Sequence, residues 1–136
     1  MLKRSSPILA LALLVCSCSS KPILLQAWQE ESVERNATVS VALSSDDAEE
    51  IKSREFYFSM VIIECDGNGE GYPMEPFVQG MRATDFDYPI VADRVVFSGE
   101  IPTRLFRGYR RPCLFLRGGN YLRTRIHSTA IAIPSA

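Results

Sequence analysis

The segment ECDGNGEGYPME, residues 64–75, sets oxygen-bearing side chains at the spacing of a calcium loop. Glu64 falls at the first position, Asp66 at the third, Asn68 at the fifth, Glu70 at the seventh and Glu75 at the twelfth, with Gly69 at the turn. This follows the EF-hand pattern apart from Glu in place of Asp at its start. The flanks argue for something else. A calcium loop needs an incoming helix, whereas the preceding run EFYFSMVIIE is rich in aromatic and β-branched residues and alternates with a period of two. Gly71 occupies the eighth position, normally apolar, and Pro73 sits inside the loop. The segment therefore reads as a glycine-rich surface turn leaving a buried strand, with no metal and no cofactor expected.

Other reactive groups are sparse. His127 is the only histidine, so any nucleophile and base arrangement would have to pass through it. It stands in TRIHSTAI, where a solvated strand face is the simpler reading. Asp85 and Asp87 lie in a polar stretch and read as solvated charges. Apart from Cys16 and Cys18 in the leader region, two cysteines and one histidine remain, too few for a zinc set. There is no phosphate-binding loop and no dinucleotide fingerprint, and the chain is read as a binding protein and not an enzyme.

The arginines stand out instead. From residue 101 to the end there are seven arginines, no lysine and no acid, whereas residues 30–75 hold twelve acids and three basic residues. Arg117, Tyr121, Arg123 and Arg125, with Arg107, Tyr109 and Arg110 in the preceding turn, form a candidate partner-binding set. Arginine makes planar two-point contacts with anions, and Arg with Tyr is enriched at interface hot spots. The pattern fits either two faces of opposite sign or a set of internal ion pairs.

The elements that would position these groups follow from periodicity. The opening MLKRSSPILALALLVCSCSS has a basic start, a short apolar run and small residues with cysteines, which is an export signal over residues 1–17. The apolar run is too short to span a bilayer, which needs about 20 residues. Val15-Cys16-Ser17-Cys18 resembles a lipobox with Cys18 as the lipidated residue, an ordinary cleaved signal being the alternative. Ser19 after that cysteine favours the outer membrane. Removal of Lys3 and Arg4 with the leader takes the net charge from −1 to −3. Cys65 and Cys113 then remain as an even pair in an exported chain, which predicts a disulfide. Closing 48 residues contributes about 4 kcal/mol in the chain-entropy model.

Residues 18–36 are read as a lipid-anchored tether, although ILLQAW could start the domain or form a short helix. Residues 37–136 form the domain. ATVSVAL alternates with Val39, Val41 and Leu43 inward, and SSDDAEEIKS has room for one helical turn. PFVQGM, PIVADRVVF and CLFLR read as strands, and Gly118-Gly119-Asn120 as the turn into YLRTRIHSTAIAI. About seven short strands without a long helix predict an all-β, antiparallel β-sandwich of immunoglobulin-like architecture, with a small β-barrel as the alternative.

The lipobox, a β-domain built on FYFSMVIIEC and the closing segment PCLFLRGGNYLRTRI together resemble the small periplasmic lipoproteins that serve as immunity proteins for secreted antibacterial effectors, notably of type VI secretion. That resemblance implies a cofactor-free domain that binds one cognate toxin and blocks its active site or substrate access. Its place would be the periplasmic face of the envelope, held to a membrane by lipid. Export removes the chain from nucleic acid, leaving an anionic protein cleft, phospholipid headgroups or lipopolysaccharide as partners for the arginines. The alternative is a structural or assembly lipoprotein of a secretion apparatus or the outer membrane.

Overall fold

The run from Phe56 onward sets the architecture. In the computed structural model, which describes residues 19–30, 35–67 and 69–134, it becomes strand β4 (Tyr57–Glu64). The strands before it are β1 (Ser19–Ser20), β2 (Leu24–Glu30) and β3 (Asn36–Ser44), followed by helix α1 (Ser45–Ser53). After it come the short β5 (Tyr72–Met74), β6 (Phe77–Val78) and β7 (Met81–Arg82), then β8 (Arg94–Pro102) and the short helix α2 (Thr103–Phe106). The chain closes with β9 (Pro112–Gly119), β10 (Arg125–His127) and β11 (Ile131–Ala132). Cys18, expected to carry lipid, and the leader before it lie outside the described residues, as does Asn68.

The strands form two packed sheets, a β-sandwich. One has the order β1-β10-β9-β4-β5, with β11 also pairing to β9; the other runs β2-β3-β8-β6-β7. The pairing is antiparallel except for β1, which lies parallel to β10. Each long strand turns one set of alternating residues inward: Val39, Val41 and Leu43 from β3, Phe58, Met60 and Ile62 from β4, Val95, Phe97 and Ile101 from β8, Leu114 and Leu116 from β9. Phe97 bridges the layers with edge-on contacts to Phe58 at 5.3 Å and Tyr88 at 5.9 Å. Burying such a large apolar side chain contributes about 1.5–3 kcal/mol.

The domain begins before residue 37. Leu24–Glu30, read as tether, forms a sheet strand paired along β3, and Ser19–Ser20 pairs with β10. Helix α1 also exceeds one turn. Ser44 accepts a hydrogen bond from the Asp47 N–H at 3.2 Å, Asp46 and Asp47 fill the first turn and Lys52 the last, all of which suit the helix dipole. Ala48 and Ile51 anchor it to the core. The strand expected over PIVADRVVF starts later, at Arg94.

Strand direction gives the sandwich two distinct ends. At what we call the entry end lie Ser19, Ser44, Tyr57, Arg94 and Gly119; at the far end lie Asn36, Glu64, Pro102 and Pro112. Helix α1 joins the sheets across the entry end.

Tyr88 is fully buried and its hydroxyl has no hydrogen-bond partner among the described residues. Burial first, and Glu49 second, push its pKa up from 10.0 to about 12. A raised tyrosine pKa gives stability that is complete below the unfolded value and lost as pH climbs to the folded one. Wild type should therefore lose up to about 2–3 kcal/mol between pH 10 and 12. Tyr88→Phe, followed by urea unfolding at several pH values, should remove part of that slope and leave neutral-pH stability equal or higher, since the hydroxyl is an orphan. An unchanged slope in the variant would contradict this.

Candidate functional site

The sequence places seven arginines from residue 101 onward, and the fold sends them to opposite ends. Arg104, Arg107, Arg110 and Arg111 gather at the far end, on α2 and the turn that follows it. Arg117, Arg123 and Arg125 gather at the entry end. Strand β9 separates the two groups by about 24 Å, at roughly 3.4 Å per residue. Among the described residues the ion pairs are Arg54–Glu50 at 3.5 Å and Arg82–Glu75 at 3.3 Å, so none draws on these seven arginines. The acid-rich and arginine-rich segments do not neutralise each other by direct side-chain pairing among the described residues.

The far-end turn is held by its backbone. Five consecutive N–H groups are satisfied: Arg107 donates to the Thr103 carbonyl at 3.0 Å, Gly108 to Leu105 at 3.1 Å and Tyr109 to Phe106 at 3.2 Å. Arg110 and Arg111 donate to the two carboxylate oxygens of Glu64, at 2.6 and 3.1 Å. The next residue of β4's exit, Cys65, donates its N–H to the Arg111 carbonyl at 2.8 Å and carries the disulfide to Cys113. Charge-assisted bonds of this kind are the strong ones. The side chains of Arg107, Arg110 and Arg111 remain exposed on this fixed frame. Tyr109 differs: its ring packs on the core beside the buried Phe106, and burial, then Glu64, raise its pKa. It supports the turn from beneath.

Glu64 therefore has a structural use, which bears on the calcium reading. The carboxylate at the loop's first position serves backbone donors, and Glu75, at the twelfth, pairs with Arg82. Between them β5 returns along β4, Met60 facing Met74 and Ile62 facing Tyr72, so the segment is a β-hairpin connection and not a helix-flanked loop. Asp66 and Glu70 are exposed. Among the described residues no three acidic, cysteine or histidine side chains gather as a metal set. Gly71 is required by packing, since a Cβ there would stand 2.6 Å from the Val61 Cγ1. An apolar residue at the eighth loop position has no room.

Strand alternation through YLRTRIHSTAIAI would set Tyr121, Arg123, Arg125 and His127 on a single face, and at the entry end that face does not form. Gly118 and Gly119 stay in strand β9, paired with Phe58 and Tyr57, and the reversal falls on the following residues. A Cβ on Gly118 would collide with the Tyr57 carbonyl, so glycine serves strand contact here, not turning. Asn120 builds the turn: its Oδ1 accepts from the N–H groups of Leu122 and Thr124 at 3.1 and 3.0 Å, and its Nδ2 donates to the Arg54 carbonyl at 3.1 Å. Arg123 takes a left-handed conformation, φ 60°. Tyr121 leaves the strand and stands edge-on to Tyr57 at 5.6 Å with their hydroxyls 3.2 Å apart, a bond that raises the Tyr57 pKa.

Three of the predicted arginines nonetheless meet. Arg117, Arg123 and Arg125, with Gly118, Gly119, Asn120 and Thr124, line an open groove of about 480 Å³ that no carboxylate enters. His127 faces Arg117 across the strands and its ring lies 5.4 Å from Phe115. It is exposed, on a sheet surface with no nucleophile placed against it among the described side-chain contacts. Glu64 and Asn120 stand out in the sequence as a loop acid and a turn residue, but their clamping roles do not, because their partners lie up to 47 and 66 residues away.

If Glu64 is a backbone clamp, Glu64→Gln should cost about 1–2 kcal/mol, since the amide sets a donor against a donor. Asp66→Asn and Glu70→Gln should change stability by less than about 0.5 kcal/mol. Urea unfolding of the three variants checks this, and millimolar Ca²⁺ should leave the wild-type melting temperature unmoved. Equal losses at all three positions, or a clear calcium-dependent rise, would restore the metal reading.

Compared with family models, with curated protein sequences and with solved structures, the chain gives no match in any of the three. Its candidate site is thus defined by its own geometry: a clamped cationic turn at one end of a β-sandwich and an arginine groove at the other.

Proposed function

We propose that the protein is a lipid-anchored binding protein of the bacterial envelope, an immunity protein that docks on and inhibits a secreted antibacterial toxin. One observation carries the reading: the Arg107–Arg111 turn is rigidly bonded, cationic and located at the end opposite the point where Ser19 enters the fold. A domain tethered through Cys18 presents that end away from its anchor, free to meet a partner. Preordering the turn lowers the entropy cost of binding, and arginines that enter no ion pair among the described residues suit an acidic cleft on the toxin. Complementary charge also speeds encounter, which favours a protein that must intercept a toxin before it acts. Inhibition by occlusion uses no reacting group of the inhibitor.

Two outcomes are expected. Fatty-acid labelling should mark wild type and not Cys18→Ala, and equal labelling of both would remove the anchor. Cells producing wild type should survive challenge by a neighbour that secretes the cognate effector. Arg107→Ala with Arg110→Ala and Arg111→Ala should abolish that protection, costing about 2 kcal/mol or more of affinity if the turn sits at the interface centre. Undiminished protection by the triple variant would move the toxin contact elsewhere, and no protection by wild type would refute the immunity role.

A further inference from the structure

The second arginine cluster faces a different neighbour. Strand β1 aligns Ser19 with Arg125 and Ser20 with Ile126. Adjacent strands lie about 4.8 Å apart, and Cys18 is one Cα step of about 3.8 Å from Ser19. No slack therefore exists between residue 18 and the arginine groove. Resting on the reading that Cys18 carries the lipid, we propose that the entry end of the sandwich is a membrane-docking face. In it the Arg117, Arg123 and Arg125 groove receives the phosphates of anionic phospholipid headgroups and the Tyr121-Leu122 tip enters the interface.

Three features fit that occupant. The Asn120-centred turn holds out Leu122 and Tyr121 at 85% and 79% exposure, a tip braced by the edge-on and hydroxyl contact of Tyr121 with Tyr57. A tyrosine with one apolar side and one polar end belongs at the headgroup level, and a leucine beside it gains by entering the acyl boundary. The groove behind the tip is lined by three arginines and no acid, and guanidinium groups take phosphate oxygens two at a time. The acids of this end lie outside that groove, Glu55 and Asp85 standing on the Tyr57 side of the tip, close enough to help raise the Tyr57 pKa. Asp46, Asp47, Glu49 and Glu50 lie on α1, which packs on β3 and β8 of the other sheet. Glu55 borders the neighbouring groove on the other flank of the tip, beside Arg54. An anionic surface would repel α1 and attract the β9–β10 side, so the charge pattern selects one tilt. That tilt turns the Arg107–Arg111 turn outward.

Hydrogen exchange on the full chain, produced in bacterial cells and purified from their membranes, tests this. The protein is placed in vesicles of phosphatidylcholine alone or of phosphatidylcholine with phosphatidylglycerol, and the mass of the N-terminal peptide reports the lipid separately. Expected are a lipid on Cys18 and slower exchange at the amides of residues 121–125 in the anionic vesicles, reversed by high salt. The variant Arg117→Gln, Arg123→Asn, Arg125→Gln should lose that protection; Asn is used at 123 because it tolerates the left-handed backbone. Its unfolding curve should match wild type, which shows that folding is intact. With three charges each contributing about fivefold to surface affinity, the unlipidated Cys18→Ala chain should bind anionic vesicles on the order of a hundredfold more tightly than the same chain carrying the three arginine changes. Lipidated protein whose hairpin exchanges equally on both vesicle types would overturn the docking face while leaving the anchor intact. Absence of lipid would refute the anchor; the docking face then stands only if the unlipidated chain binds anionic vesicles through these arginines, and falls if it does not.

Discussion

The pairing of β4 with β9, sealed at the far end, is the constraint on which the rest of this structure depends. Eight residue pairs run from Tyr57–Gly119 to Glu64–Pro112. Cys65, one step past the last pair, bonds diagonally back to Cys113, the partner of Ile63, and the Glu64 carboxylate reaches over to the turn that feeds β9. The two cysteines thus close a loop with a sequence separation of 48, and the neighbouring Glu64 fixes the amides of Arg110 and Arg111. The central pair supplies the inward Phe58, Met60, Ile62, Leu114 and Leu116 that the second sheet packs against. Core and candidate contact surface thus share one scaffold, and loosening the seal loosens both.

An alternating strand order turns that scaffold into a polar object. Because β9 carries the chain from one end to the other, arginines that are neighbours in sequence are separated in space, and each cluster acquires its own surroundings. At the far end they ride on a turn whose amides are all bonded. At the entry end they flank an exposed apolar tip next to the first residue of β1. The proposed toxin contact and the proposed membrane contact then require no conformational switch. They occupy opposite ends of one sandwich, and the tilt proposed for it follows from where the chain enters and where the acids of α1 lie.

Much of this was legible in the residues. The alternation of FYFSMVIIE named the central strand, the even cysteine pair in a chain read as exported named the disulfide, and regular turn signals named the sandwich. What escaped was set by non-local contacts. Gly118 and Gly119 look like a turn, but the close approach of the β4 backbone keeps them in the strand, which displaced Tyr121 and Arg123 from the face expected for them. LLQAW lacks clean alternation because its pairing with β3 slips between Leu24 and Gln26, and so it did not read as an edge strand. The acidic loop resembled a cation site because local spacing cannot show that Glu64 is committed to amides 46 and 47 residues away.

The account stands on the sealed end, and amide hydrogen exchange in oxidised and reduced protein tests it most directly. Reduction of Cys65–Cys113 should speed exchange at Arg110 and Arg111 by more than tenfold, while the amides of Leu122 and Thr124, held by Asn120 at the other end, keep their rates as long as the protein remains folded. If the amides of Arg110 and Arg111 exchange at the same rate with the bond broken, or were never protected, then Glu64 and the disulfide do not hold the turn and the cationic platform is not preorganised.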